Sequence, residues 1–534
     1  MSKDTQQNFK SNYELLIQKI IEKPIIGLGI LAIIGIFIRV LYYPYGLPLT
    51  LDSLMYFWYA NDMSIIGGFP TNYSFPNNGW PTILSFFFSM YHSENFLDYM
   101  NIQRTATILI SVLTIIPIFL TCKKFVRKEY SLIASAIFVL DPRIIQNSLS
   151  GLTEPLFIFL GITSILFFLS DKQKIIFFAF VTAAIFALIR YEGLLIIIPF
   201  SIMYFIRFKV NKNIFLKYCI MISVFILILT PMANVRTEIT GNDGLLSHII
   251  AGPESVIVIE NRTENTSSFF LEQYIKTSLE NFFKFFGWIL LPTFIFFIPL
   301  SIFYILKDKK DIFNHKVISL FLIGIFLLLP ALYAYGREIQ ETRYLFIIFP
   351  ILCIISSYVV SKINKKIIKT NLIIIVIICG ILLSSIIFLE YKKVNYEYEH
   401  DAYLFAKKII ENTNVINSYY PEGGYLRVAS LSNYDFPILK ESITENVIFI
   451  SSDNAKSLEE FLKSSKELKL THLAIDKKYY LDSNRNDKFL GDIYNNEKAY
   501  PYLEKIFDSE AEGYTYHMKI FKINYDKFME ENYN

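Results

Sequence analysis

The hydrophobic pattern of the chain is dominated by long apolar runs, and about 20 such residues are needed for a helix to cross a bilayer. Eleven segments reach or approach that length: 25–43, 103–121, 130–147, 153–170, 175–190, 193–208, 214–232, 286–306, 317–334, 344–361 and 371–389. The run 81–91 is too short to span and reads as a helix lying in the interface. Residues 52–63, rich in aromatic and apolar side chains, read the same way. After Asn395 the pattern changes. Short apolar runs at 446–450 and 471–475 read as buried strands, and 514–523 alternates as a half-exposed strand does. Helical patterns at 401–412, 456–467 and 498–507 lie between or beside them, and Ser457 with Glu460 forms a capping box. Strands alternating with helices predict a small soluble α/β domain. The expected fold class is therefore a polytopic α-helical membrane protein of about eleven transmembrane helices with a C-terminal α/β domain. Its parts are a segment 1–24, a membrane domain 25–390 with a long loop 44–102, and the domain 391–534.

Composition agrees. Of 534 residues, 53% are hydrophobic and only 19% charged, against about 25% charged in soluble domains. This excludes a cytosolic enzyme, a disordered chain and a secreted disulfide scaffold. The net charge of +3 offers no basis for a nucleic-acid partner. Cys122, Cys219, Cys353 and Cys379 lie in or beside apolar runs, at no metal-ligand spacing, so neither a disulfide nor a zinc site is expected.

Charge also sets an orientation. Lysines at 3, 10, 19 and 23, then 123–128, 172–174, 207–217, 307–316 and 362–369, make every second loop basic, whereas 44–102 holds no Lys or Arg. By the positive-inside rule the N-terminus is cytoplasmic, loops 44–102, 233–285 and 335–343 are outside, and eleven crossings put the C-terminal domain outside a plasma membrane. The sequons at Asn261 and Asn265 fall in an outside loop.

Charged residues within spans are expensive and usually functional. Here Arg39, Asp52, Asp141, Arg143, Glu154, Arg190, Glu192, Arg337, Glu338, Glu341 and Arg343 all map to outer span ends or the loops joining them, leaving the midplane nearly free of charge. A proton-coupled transporter would place such groups near the midplane. Carboxylates suit acid–base chemistry and arginines bind phosphate bidentately, so the pattern points to an outward-facing site for a lipid-attached phosphorylated substrate. Each residue also has a plainer reading. Asp52 could cap the helix after it or act as a base. Glu154, followed by Pro155, could be a first-turn acid favoured by the helix dipole. Arg190-Tyr191-Glu192 could be a short polar connection, and Arg337 to Arg343 a solvated turn or a phosphate clamp. Arg39 could snorkel to the surface. Trp58, Tyr73 and Trp80 could be an interface belt or sugar platforms.

In order along the chain, these residues resemble the polytopic GT-C glycosyltransferases, especially the branch of protein O-mannosyltransferases and the lipid A aminoarabinose transferase. Asp52 occupies the place of that branch's first-loop acid. Asn78-Gly79-Trp80-Pro81-Thr82-Ile83-Leu84 is similar to its proline-containing segment. Arg104, the basic loop 123–128, Ser150 to Leu156 with Glu154, Arg190-Tyr191-Glu192-Gly193, and Arg343-Tyr344-Leu345 through Pro350 follow in register, covering about 25–390. Ser53 stands where many members have a second acid, and the Trp-Trp-Asp motif of oligosaccharyltransferases is absent. The resemblance implies a hexosyl, for example mannosyl, transferase of the cell envelope. Its donor would be a polyprenyl- or dolichyl-phosphate sugar, and its acceptor a protein, lipid or lipid-linked glycan. It implies Asp52 as base with inversion at the anomeric carbon, Glu154 in support, and Arg337, Arg343 and Arg190 on the leaving phosphate. Trp80, Tyr56 and Glu192 would bind substrate. No metal ligands are identified, and a divalent cation is left open. The rival classes are a flippase for a polyprenyl-linked glycan and a non-catalytic membrane scaffold.

Overall fold

The computed structural model describes the chain from Lys23 to Tyr533 except 72, 74–75, 209–210, 252–266, 308–312, 364–369, 418–424, 444–446, 453–454 and 478–488. The amino-terminal lysines before Lys23, both sequons and the basic stretch 364–369 lie outside the described residues. The chain divides into two compact units. The first comprises Met1–Tyr43, Ile66–Phe86 and Gln103–Lys393; the second comprises Pro44–Ile65, Phe87–Ile102 and Val394–Asn534.

The first unit is a helical bundle, and each of the eleven apolar segments is helical in it. Six helices are long and apolar enough to cross a membrane by themselves: Pro24–Leu41, Phe96–Cys122, Lys212–Thr240, His315–Gly336, Thr342–Ile363 and Leu372–Tyr391. Two more qualify only as bent pairs. Lys128–Leu140 and Pro142–Leu149 meet at 49°, because Asp141 is extended and its carboxylate caps the second helix through the amides of Arg143 (2.9 Å) and Ile144 (3.3 Å). The segment 286–306, expected as one span, is instead broken: Glu272–Leu290 and Phe294–Lys307 meet at 105°. The remaining apolar helices, Glu154–Phe168, Gln173–Ile189 and Ile197–Arg207, are short. At 1.5 Å per residue the first is only about 22 Å long, less than the ~30 Å hydrocarbon core.

One buried cation stitches the bundle. Arg39 is fully buried. It donates to Ser148 Oγ (2.8 Å), to the carbonyls of Gly35 (2.9 Å) and Val139 (3.0 Å), and to Ser111 Oγ (3.1 Å). It does not snorkel. With four acceptors on its own and neighbouring helices, its guanidinium is satisfied inside, where an unpaired charge would be costly.

The bundle has two polar ends. At one, Asp171 collects Lys316 (3.0 Å) and Arg207 (3.7 Å). The Lys316 ammonium bonded to it holds its carboxyl below the usual carboxylate range. This is the end of the basic loops. At the other end stands the start of the Glu154–Phe168 helix.

In the second unit a five-stranded sheet has the order β2-β1-β3-β5-β4, with β1 Val415–Asn417, β2 Ile448–Ile450, β3 His472–Asp476, β4 Leu503–Asp508 and β5 Met518–Ile523. β1 lies parallel to β2 and β3; β5 runs antiparallel to β3 and β4. The capping box is present: Ser457 Oγ accepts from the Glu460 amide (3.2 Å), while Glu460 reaches back to the Lys456 amide (2.8 Å) rather than that of Ser457. The helix expected over 498–507 is a strand from Leu503, because pairing with β5 overrides its helical propensity.

The first loop is built into this unit. Phe57 and Trp58, on the Leu51–Ile66 helix, pack on Phe436 at 5.8 and 5.9 Å between ring centroids. Asn61 donates to the Ile438 carbonyl (2.8 Å), and Asp62 accepts the Lys440 amide (3.2 Å). Residues 44–65 and the C-terminal domain thus share one core.

Candidate active site

In the bundle, the polar end that gathers Glu154 is assembled from four turns. The first is the 150–153 turn, where Gly151 (φ 70°) leads into Thr153 and the Glu154–Phe168 helix. Glu154 opens that helix ahead of Pro155, as its first-turn reading expects. The turn is held from outside: the Gly151 carbonyl accepts from Trp80 Nε1 (3.2 Å) and from Gln103 Nε2 (2.8 Å). Trp80 is fully enclosed, and a Cβ on Gly79 would lie 2.6 Å from the Leu188 carbonyl oxygen. The Asn78-Gly79-Trp80-Pro81 segment therefore needs glycine for close approach and tryptophan as a prop, two positions from Arg190. Trp58 and Tyr73 are buried as well, so none of these three rings forms a belt or an open platform.

The second turn is Arg190, the extended residue between the Gln173–Ile189 helix and the 3-10 turn Tyr191–Ile196. Its guanidinium is held on both sides. Nη1 donates to Glu154 Oε1 (2.9 Å) and Thr153 Oγ1 (3.2 Å); Nη2 and Nε donate to Glu192 at 2.8 and 3.4 Å. Its guanidinium carbon lies over the Phe157 ring, 5.7 Å from the centroid. Glu154 is buried, and its Oε2 has no hydrogen-bond partner among the described residues. Arg190 is thus engaged by two carboxylates; a phosphate would have to displace one of them.

The third turn is Thr342–Ile348, which carries Arg343, paired with Glu341 and set over the Tyr344 ring. Arg343 faces two spaces. One is a pocket of about 30 Å³, room for a single water, also lined by Glu154, Arg190, Glu192, Phe157 and Tyr344. The other is a cavity of about 380 Å³. The fourth turn supplies its far wall: Arg143, Gln146, Asn147 and Ser150, from the Pro142–Leu149 helix and its end. Arg143 donates to the carbonyls of Leu291 and Trp288 and stacks 4.8 Å from the Phe388 centroid, while its buried Nε has no partner among the described residues.

Of the residues singled out in the sequence, the structure therefore brings together Glu154, Arg190, Glu192 and Arg343. Arg337 is not with them. It is exposed, bonded to the Tyr333 hydroxyl (3.3 Å) over that ring, and lines neither space. Arg143 had been noted only as one more charge at a span end. The signal that would have promoted it is the helix Pro142–Leu149, whose Arg143, Gln146 and Asn147 recur at helical spacing.

Asp52 and Tyr56 belong to the second unit. Asp52 is half-buried in the first turn of the Leu51–Ile66 helix, and Tyr56 is buried one turn on. Thr50, not Asp52, accepts the first helical amide, from Leu54 (3.3 Å), so Asp52 is inside the helix rather than its cap. Leu51, directly before it, has φ 52°, a left-handed conformation uncommon outside glycine.

Among the described residues no three His, Cys, Asp or Glu side chains come together as a metal ion would require. The two carboxylates of the cluster both hold Arg190, whose charge would repel a dication. These residues do not suit a metal.

No family model matches the chain, and no curated protein matches it by sequence. Solved structures do match. The oligosaccharyltransferase of Archaeoglobus fulgidus in its apo form superposes with a TM-score of 0.56 at 13% identity, over 88% of this chain and 72% of that one. The oligosaccharyltransferase AglB, also from Archaeoglobus fulgidus, in complex with an inhibitory peptide and a dolichol-phosphate, gives 0.55 at 12%, over 95% and 74%. ArnT from Cupriavidus metallidurans in the apo state gives 0.51 at 9%, over 96% and 98%. At such identities the likeness is one of fold: the chain shares the fold of these archaeal and bacterial proteins.

Proposed function

We propose that this protein is a membrane glycosyltransferase that moves a sugar from a polyprenyl- or dolichyl-phosphate donor to an acceptor hydroxyl, of a protein or a lipid-linked glycan, on the outer face of the membrane. In this reading Asp52 takes the proton of the acceptor hydroxyl. The acceptor oxygen attacks the anomeric carbon from the face opposite the phosphate, and the bond from that carbon to the phosphate oxygen breaks with its electron pair going to the phosphate. The configuration inverts. Arg343 and Arg143 stabilise the charge that develops on the phosphate. Glu154 and Glu192 fix Arg190, and the three together hold the wall on which Arg343 sits.

The observation that carries the reading is the pair of guanidinium groups on one cavity of about 380 Å³, within the ~300–1,000 Å³ usual for a bound ligand. The GT-C fold supplies the context, since AglB has been solved with a dolichol-phosphate bound. The test is purified protein given radiolabelled polyprenyl-phosphate sugars with membrane lipid and protein acceptors. Transfer that is lost in Arg343→Ala supports the reading. Absence of transfer from every such donor, with folded protein, overturns it.

A further inference from the structure

The basic end of the bundle holds a cavity that sugar transfer leaves unused. It is about 750 Å³ in volume and lies among the helices Gln173–Ile189, Ile197–Arg207 and Lys212–Thr240. Its body is apolar, with Phe177, Phe178, Ile220 and Met221, and Lys172, Lys174 and Lys217 line it as well. Phe178 and Ile220 are half or more exposed, so the cavity opens on the surface that faces lipid.

Three features of it are unsatisfied. First, none of the three lysines has a carboxylate partner among the described residues. Lys217 donates only to the neutral Gln173 amide, while the nearby Asp171 is already taken by Lys316 and Arg207. Second, Lys172 and Lys174 flank the N-terminus of the Gln173–Ile189 helix, which has no acidic residue in its first turn and no side-chain cap; their charge and the helix dipole repel each other there. Third, Tyr204, which also lines the cavity, is fully buried, and its hydroxyl has no hydrogen-bond partner among the described residues. A buried, unbonded hydroxyl is a net cost to the fold.

We propose that this cavity binds an anionic phospholipid, with the phosphate on Lys172, Lys174 and Lys217, an acyl chain along Phe177, Phe178 and Ile220, and the Tyr204 hydroxyl donating to a lipid oxygen. One molecule meets all three deficits. The charge it brings is opposite to three unpaired lysines and to a helix N-terminus, and its chain fills a volume that a free phosphate would leave empty. By the alternation of basic loops, this end of the bundle is the one expected at the leaflet richest in anionic lipid.

The test uses the full chain purified in detergent. Dioleoylphosphatidylglycerol, dioleoylphosphatidylcholine or inorganic phosphate is added, and native mass spectrometry reads retained lipid while thermal unfolding reads stabilisation. Phosphatidylglycerol is expected to be retained and to raise Tm, with phosphatidylcholine and phosphate doing neither. The triple variant Lys172→Gln, Lys174→Gln, Lys217→Gln should bind phosphatidylglycerol about a hundredfold more weakly. The control pair Lys307→Gln, Lys362→Gln should bind as wild type. Tyr204→Phe should unfold at a higher temperature than wild type without lipid, since the orphan hydroxyl is gone, and gain less from phosphatidylglycerol. Equal retention of phosphatidylcholine, equal stabilisation by inorganic phosphate, or phosphatidylglycerol binding that the triple variant keeps or the control pair loses would each overturn the proposal.

Discussion

At the level of single residues, the arginines of the bundle separate into different tasks. Arg190 is committed to Glu154 and Glu192, side chains only 5% and 12% exposed. Removing it leaves two carboxylates facing each other in the interior, so Arg190→Ala should cost about 3–5 kcal/mol of stability. Thermal unfolding in detergent measures this, and adding Glu192→Gln should recover part of the loss. Arg343 is different: it is less enclosed and borders the larger cavity. Arg343→Ala should leave Tm nearly unchanged while lowering turnover or apparent donor affinity, and Arg343→Lys should not restore either, because an ammonium cannot bind bidentately. Arg337→Ala should match wild type in a donor titration. Asp52→Asn should reduce transfer at least a hundredfold with folded protein retained, as loss of a general base does; activity within about tenfold of wild type would demote Asp52 to a helix-opening residue. The left-handed Leu51 is a strained position of the kind that collects at functional sites.

At the level of elements, glycines show where helices meet. A Cβ on Gly193 would lie 2.8 Å from the Phe186 ring and 2.9 Å from the Ala187 Cα, so Gly193→Ala should destabilise the protein by about 1–3 kcal/mol through overpacking. Gly29→Ala, with nothing within 4 Å, is the control and should be neutral or mildly stabilising. Both are read by unfolding in detergent. Elements were legible in the sequence where one local rule decides them. Length and apolarity place all eleven helical segments, and Ser457 with Glu460 marks its helix start. They were illegible where a distant partner decides. Residues 503–508 become a strand because β5, which follows them, offers an edge. Arg39 resembles a snorkelling terminus until Ser111, Val139 and Ser148, from helices much later in the chain, supply acceptors. The site follows the same division. Glu154, Arg190, Glu192 and Arg343 stood out as charges in apolar surroundings, but that Arg190 is saturated and that Arg143 shares a cavity with Arg343 depend on how four turns meet.

For the whole molecule, the shared core of residues 44–65 and the C-terminal domain constrains the topology. Both ends of the intervening chain finish on one side, so an even number of crossings separates them, and the Pro24–Leu41 helix makes the total odd. Six spans, or eight with both bent pairs, are even; an odd total requires either that just one bent pair crosses or that a short apolar helix crosses too. We expect cysteines placed at Tyr45 and Lys498, in a background without the four native cysteines, to be labelled together by a membrane-impermeant maleimide added outside intact cells. Labelling of one without the other would contradict the shared core, and labelling of neither until lysis would reverse the assigned orientation.

The same shared core sets an order of events during synthesis. The helix bearing Asp52 emerges early, yet Phe436, Ile438 and Lys440, which complete its surroundings, are made only after almost all of the membrane helices. At about 5–20 residues per second, Phe57 and Trp58 wait on the order of 20–80 s for the ring that covers them. A ribosome-stalled or truncated chain ending before Phe436 would leave these aromatics only partly covered, by Phe88 and each other, a target for quality control. The proposed base thus takes its final setting only when the chain is nearly complete.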